Sequence, residues 1–262
     1  VMRIIKLIVA YDGTNYHGFQ RQKNTPNTIQ QKLEDGLAKI FGHKLSMSGA
    51  GRTDTGVHAQ GQVVHFQTTG TIPAHCIAAA SRSVLPEDIV VLQAEDANEW
   101  FHARKWALSK IYLYRIYQSK NINPFWRHYA WHTSKQLDVE AMQQALSIIV
   151  GTHDFSSFKA AGSTARDPVR TILSANCVRD DLTAQMPLPG VSGAVVCYDF
   201  TFHGTGFLYH MVRNLMGTLM NVGKHKITVS DMAAILAAKD RSKAGKTAPA
   251  QGLYLLSVKY PE

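Results

Sequence analysis

The residues best suited to chemistry lie in Gly51-Arg52-Thr53-Asp54-Thr55-Gly56-Val57-His58. An aspartate stands beside an arginine and between two threonines, in a loop bounded by glycines. An ionised carboxylate can act as a nucleophile. Glycine at both ends lets the backbone take positive φ and come close to a ligand. Just downstream, Gln62-Val63-Val64-His65-Phe66 has the character of a strand. The spacing therefore predicts Asp54 on a connection into a sheet edge, and such connections are where catalytic groups concentrate. It also suits a plainer role, in which Asp54 pairs with Arg52 or caps a turn.

A second stretch is Gly204-Thr205-Gly206-Phe207-Leu208-Tyr209-His210-Met211-Val212-Arg213-Asn214. On a helix over residues 210–222, His210, Arg213, Asn214, Gly217 and Asn221 share one narrow stripe. Met211, Val212, Leu215, Met216, Leu219, Met220 and Val222 cover the rest, so the helix is largely buried. Arg213 is then a cation at the start of a buried helix and requires an anionic partner. A local acid such as Asp199 would serve, and so would Asp54 or a phosphate.

Rings and cations alternate elsewhere. Tyr11, Tyr16 and Phe19 precede Arg21 and Lys23 in a Gly-rich loop, a composition suited to base stacking with phosphates nearby, or to an ordered turn. Phe101-His102-Ala103-Arg104-Lys105 repeats the mixture. Ile111–Tyr117 alternates, with Tyr112, Tyr114 and Ile116 on one side and Ile111, Leu113, Arg115 and Tyr117 on the other, which predicts a solvated, ligand-facing strand. Gly162-Ser163-Thr164-Ala165-Arg166 opens a basic loop.

The positioning elements can be read as well. Arg3–Ala10 predicts a central strand. Thr28-Ile29-Gln30-Gln31 predicts a capping box, and Ile29, Leu33, Leu37, Ile40 and Phe41 recur at helical spacing up to Gly42. A short strand before the Asp54 loop, a helix over 76–84 and a strand over 89–94 follow. Asp138 predicts a cap for a helix through Ile149, and Ser230 predicts one for the last helix. Residues 185–193 predict a hairpin tip or surface insertion, 194–202 a strand and 253–260 a closing strand. The whole is α+β, in two domains over residues 1–105 and 106–262.

Lys plus Arg outnumber Asp plus Glu by 28 to 19, a net charge of +9 over 262 residues. Such an excess suits a polyanion. No apolar run is long enough to span a bilayer, which points to a cytoplasmic protein that binds nucleic acid. Cys76, Cys177 and Cys197 are scattered, which argues against disulfides and a zinc site. No Gly-rich phosphate loop or dinucleotide fingerprint is present, so the chemistry is expected to need no cofactor and no metal.

Six motifs, YDGTNYHGFQRQ, GRTDTGVHA, FHAR with KIYLY, GTHDFSSF, GFLYHMVRNLMGTL and APAQGLYL, occur in an order that resembles the tRNA pseudouridine synthase I (TruA) family over essentially the whole chain. The resemblance implies the pseudouridine synthase fold, two α/β sheet domains flanking a basic RNA-binding cleft, and a homodimer that cradles tRNA without a cofactor. It implies isomerisation of uridine to pseudouridine at positions 38, 39 and 40 of the anticodon stem-loop. Asp54 matches the family's nucleophile, Tyr112 the tyrosine on the target base, and Arg213 the arginine that pairs with the aspartate. Arg52 matches a basic residue that helps hold the flipped nucleotide. Residues 101–105 and 162–166, with Lys120, fall where the family contacts tRNA. Thr55, Arg82 and Val84 depart from the family's usual alanine and asparagines.

That chemistry suits these residues. Uracil leaves ribose at N1, turns and rejoins through C5, with no electron or outside atom exchanged. An ionised carboxylate can attack C6 or the ribose carbon. A nearby arginine favours its charged form, and an aromatic side chain offsets the cost of unstacking the base.

Overall fold

The computed structural model describes residues 2–181 and 195–261. In chain order the main elements are β1 (Arg3–Tyr11), α1 (Ile29–Phe41), β2 (Met47–Gly49), β3 (His58–Thr68), α2 (Ala74–Ser81), β4 (Ile89–Ala97), β5 (Ser109–Gln118) and β6 (Trp131–Thr133). They continue with α3 (Val139–Ile148), β7 (Gly151–Asp154), β8 (Val169–Asp181), β9 (Val196–Gly204), α4 (Met211–Gly223), α5 (Val229–Ala238) and β10 (Leu253–Lys259). Two compact units form, one from Val1–Lys110 with Tyr254–Glu262 and the other from Ile111–Leu253. The division expected after residue 105 therefore comes after Lys110. The closing segment, expected in the second unit, belongs to the first, because β10 pairs in parallel with β3 through Tyr254 opposite His58 and Leu255 opposite Ala59.

In the first unit β1 lies between β4 and β3, antiparallel to both. Ile5, Leu7 and Val9 are fully buried, as the β-branched run implies. With β1, β2 and β10 all paired to it, β3 is an interior strand. The Asp54 loop thus feeds the middle of a sheet, not the expected edge. Thr28 caps α1 by accepting from the Gln31 N–H at 3.3 Å. The returning half of the expected capping box does not form, since the Gln31 amide donates to Asp35 at 2.8 Å instead. Ile29, Leu33, Leu37 and Phe41 are buried, and Gly42 ends the helix at φ 71°.

In the second unit β5, β9, β8 and β7 lie in that order, and β6 runs parallel beside β5. The β7–β8 and β8–β9 pairs are antiparallel. Asp138 caps α3 by accepting from Ala141 N–H at 2.9 Å. The cap of α5 is Thr228 rather than Ser230. Its hydroxyl accepts from the Asp231 N–H at 3.2 Å, and the Asp231 carboxylate accepts from the Thr228 N–H at 2.7 Å. The expected hairpin tip at 185–193 lies outside the described residues. Tyr112, Tyr114 and Ile116 form a buried face of β5, so the expected solvated tyrosine face is core. The Tyr114 hydroxyl tolerates this because it donates to the Pro249 carbonyl at 2.7 Å. Among the described residues no helix is long and apolar enough to cross a membrane.

Candidate active site

Asp54 sits in a loop that a neighbouring loop holds backbone to backbone. Its carbonyl accepts from the Val57 N–H at 3.1 Å, closing a turn whose third residue, Gly56, takes φ 77°. A type II turn reserves that position for glycine. Gly51, expected to share this freedom, is not among the positive-φ glycines. Burial alternates along the loop: Arg52 is exposed, Thr53 buried, Asp54 half-buried and Thr55 exposed. Thr53 is the anchor. Its hydroxyl lies 2.8 Å from the buried Tyr11 hydroxyl, and its carbonyl accepts from the Phe19 N–H at 3.0 Å. Buried Gln62 donates to the Gly51 carbonyl at 2.9 Å.

The partner loop supplies two close approaches. A Cβ on Gly13 would lie 1.9 Å from the Val57 carbonyl oxygen, and one on Gly18 would lie 2.7 Å from that of Thr53. The Gly13 N–H also donates to Nδ1 of buried His58 at 3.1 Å. Tyr11, Tyr16 and Phe19 are buried, so the aromatics expected to stack on bases build this loop's core instead. Burial pushes the Tyr11 phenol up to about 12. Arg21 pairs with buried Glu34 at 2.7 Å.

The expected contact segment 101–105 is split by burial. Phe101 and Ala103 pack with Ile4, Ala50 and Val63, whereas Arg104 and Lys105 are exposed and His102 is half-buried. A cavity of about 900 Å³ is lined there by Lys44, His65, Trp100, His102, Lys105 and Trp106, among others. The rings of His65 and His102 lie 4.6 Å apart. Burial, with help from His102, lowers the pKa of His65. His65 stands seven residues along β3 from His58, roughly 23 Å at strand rise.

Tyr112 and Arg213 belong to the second unit. Tyr112 is 8 % exposed, and its ring centre lies 5.0 Å from that of Phe207 with the planes at 78°. Arg213 lies in the first turn of α4, preceded by His210 at φ 59°. Its Nε donates to the Ala248 carbonyl at 2.8 Å. Asp199, an alternative partner on sequence grounds, is engaged by Arg115 through two bonds of 2.7 and 2.6 Å. Lys120, Gly162, Thr164 and Arg166 are exposed, and Ser163 and Ala165 are half-buried. Sequence reading placed Tyr11 among loop aromatics and Gln62 in a strand without their role in bracing the Asp54 loop, and it singled out neither Arg241 nor Thr247 beside α4. For Gln62 the signal was an amide at the head of an otherwise apolar strand.

A sheet unit that braces one aspartate loop, followed by a unit with a buried tyrosine strand and an arginine-bearing helix, can be compared with known proteins. The model of the family described as tRNA pseudouridine synthase matches residues 7–104 and 145–261. The chain is similar to tRNA pseudouridine synthase A of Acetivibrio thermocellus, with 44% identity over 99% of this chain and 100% of that protein. The same enzyme of Syntrophomonas wolfei is 45% identical over 100% of this chain and 99% of its own length. That of a Thermoanaerobacter species is 45% identical over 99% and 100% respectively. With both halves matched and no large part of any of the three relatives left over, the chain belongs to the tRNA pseudouridine synthase family.

Proposed function

We propose that this isomerase converts uridine to pseudouridine at positions 38, 39 and 40 in the anticodon stem-loop of tRNA, with Asp54 as nucleophile. Family membership carries the reaction class. The observation that best supports the residue assignment is the bracing of the Asp54 loop. Tyr11, Gln62 and two close glycine contacts hold the backbone on both sides of a carboxylate that stays half-exposed. A preorganised carboxylate of this kind loses little freedom on meeting its target.

In this reading the uridine leaves its stack and Tyr112 packs on the base. Arg213 pairs with the Asp54 carboxylate, and Arg52 helps hold the nucleotide out. The carboxylate attacks an electrophilic carbon, C6 or the ribose C1′. The N1–C1′ bond breaks, the C5–C1′ bond forms, the C5 proton passes to solvent and N1 takes a proton up from it as the carboxylate is released. His102, Arg104, Lys105, Lys120 and Arg166 meet phosphates, with the 162–166 loop alongside. The working form is a cytoplasmic homodimer that needs no cofactor.

Tritium release from C5-labelled uridine in unmodified tRNA tests this directly. The parent should release tritium, and Asp54→Asn should bind tRNA yet release none. Release that persists in Asp54→Asn would overturn the assignment of the nucleophile.

A further inference from the structure

The Arg213 side chain takes its direction from a segment that a buried polar cluster fastens to α4. Besides the bond from Arg213 Nε to the Ala248 carbonyl, the Ala248 N–H donates back to the Arg213 carbonyl at 3.0 Å. Asn214, the next residue, is fully buried. Its Nδ2 donates to the Phe158 carbonyl at 2.8 Å. Its Oδ1 accepts from Arg241 Nη2 at 3.0 Å and from the Thr247 hydroxyl at 2.7 Å. Arg241 also donates to the Gly245 carbonyl at 2.9 Å. One turn along α4, the Thr218 hydroxyl accepts from the Gly245 N–H at 2.9 Å.

The contact is tight as well as bonded. A Cβ on Gly217 would fall 1.6 Å from the Lys246 carbonyl oxygen, so residues 245–248 lie directly on the helix backbone. Asn214 therefore does more than fill a polar gap in a buried helix. It joins the loop at Phe158, the Arg241 turn and Thr247 at one point, next to the residue whose guanidinium the same segment orients. A guanidinium is a planar fork, so fixing Nε fixes the plane in which both Nη groups lie.

We infer that Asn214, Arg241 and Thr247 are positioning residues for the isomerisation: they hold the Ala248 carbonyl in place and through it aim Arg213. This rests on the reading of Arg213 as the partner of Asp54.

Thr247 gives the mildest test, because valine keeps its shape without the hydroxyl and serine keeps the hydroxyl. Single-turnover isomerisation, tRNA affinity and thermal melting would be measured for Thr247→Val, Thr247→Ser and Arg241→Gln, each in the parent and in Arg213→Lys. Lysine keeps the charge but has no Nε–H to be aimed. Thr247→Val and Arg241→Gln are expected to slow the parent about tenfold or more, with affinity within about twofold, because small misplacements are costly in rate. Thr247→Ser should stay close to the parent. In the Arg213→Lys background the same changes should cost less than about twofold, as residues acting through one group are not additive. Equal fold-losses in both backgrounds would overturn the inference, and so would a parental rate in Thr247→Val. Hydrogen exchange at the Ala248 amide, which needs no activity, should quicken in Thr247→Val; unchanged exchange would also overturn it. A fully active Arg213→Lys would instead defeat the underlying use of Arg213, a separate failure.

Discussion

The hydroxyls of Tyr11 and Thr53 lie 2.8 Å apart, both buried, and tie the end of β1 to the residue before Asp54. Gln62 Nε2 approaches the same phenol at 3.5 Å. Removing the phenol oxygen strands the Thr53 hydroxyl away from water. Tyr11→Phe should therefore cost about 1–2 kcal/mol of stability. It should also slow single-turnover isomerisation more than it weakens tRNA binding, since the phenol places Asp54 and is itself buried. Denaturant titration and rate measurement on one preparation would check both. A parental rate would mean that the loop keeps its place without this bond.

The close approach of Gly13 to Val57 makes a sharper prediction. Any Cβ at Gly13 meets a carbonyl oxygen 1.9 Å away, so one loop must move. Gly13→Ala should destabilise the chain by about 1–3 kcal/mol through overpacking and slow catalysis by displacing the Asp54 turn. Gly42→Ala is the comparison. Gly42 has φ 71° but nothing within 4 Å. Its cost should be backbone strain alone, about 1 kcal/mol, with the rate unchanged. Equal rate losses in the two variants would separate the effect from the loop contact.

Much of this arrangement was legible in the residues, and the rest was hidden for definable reasons. The β-branched run at Arg3 and the helical recurrence of Ile29, Leu33 and Leu37 are local patterns, and both elements formed where the patterns put them. The Asp54 loop could be singled out because an acid between hydroxyls and glycines is unusual. A periodicity cannot say which face another segment will cover. Tyr112, Tyr114 and Ile116 alternate as a ligand-facing strand would, yet residues around Pro249 satisfy the Tyr114 hydroxyl and bury that face. Tyr16 and Phe19 were hidden in the same way. The return of β10 to β3 joins residues far apart in sequence, and no local signal carries it. Thr228 and Ser230 both suit a helix start, and only the reciprocal bond with Asp231 separates them.

Asp199 offers a test of the charge pairing. Its carboxylate takes two bonds from Arg115, a planar match that a single-point contact would not give. Asp199→Asn should lower stability by about 1 kcal/mol, the modest value of a half-exposed pair. It should leave the isomerisation rate untouched, because Arg213 does not depend on it. A large rate loss with normal melting would link Asp199 to Arg213 after all.

The excess of positive charge makes tRNA binding a matter of ionic strength. With a net charge of +9 and exposed Arg104, Lys105, Lys120 and Arg166, phosphate contacts should dominate the affinity. Binding measured across a salt series should weaken linearly on logarithmic axes, and Lys105→Gln should reduce the slope by about one. A slope unchanged by Lys105→Gln would exclude that side chain from the phosphate contacts.

Lys110 connects burial to pH. Its Nζ donates to the Ala50 carbonyl at 2.8 Å, close to where the Asp54 loop begins. Burial, reinforced by the positive charge of Arg104, pushes its pKa down to about 8. In the unfolded chain a lysine titrates near 10.4. Below pH 8 both states hold the proton, and the cost of burying the ammonium is present in full. Between about pH 8 and 10 the folded chain has released a proton that the unfolded chain still binds, so stability rises with pH. Lys110→Met removes this group while the other titrations stay common to both proteins. From pH 7.5 to 10 the stability difference should move toward the parent by up to about 2–3 kcal/mol. Chemical denaturation of both proteins across that range would measure it. A difference that stays flat would mean that the ammonium keeps its water in the folded chain, and burial would then place no constraint on the segment leading to Tyr112.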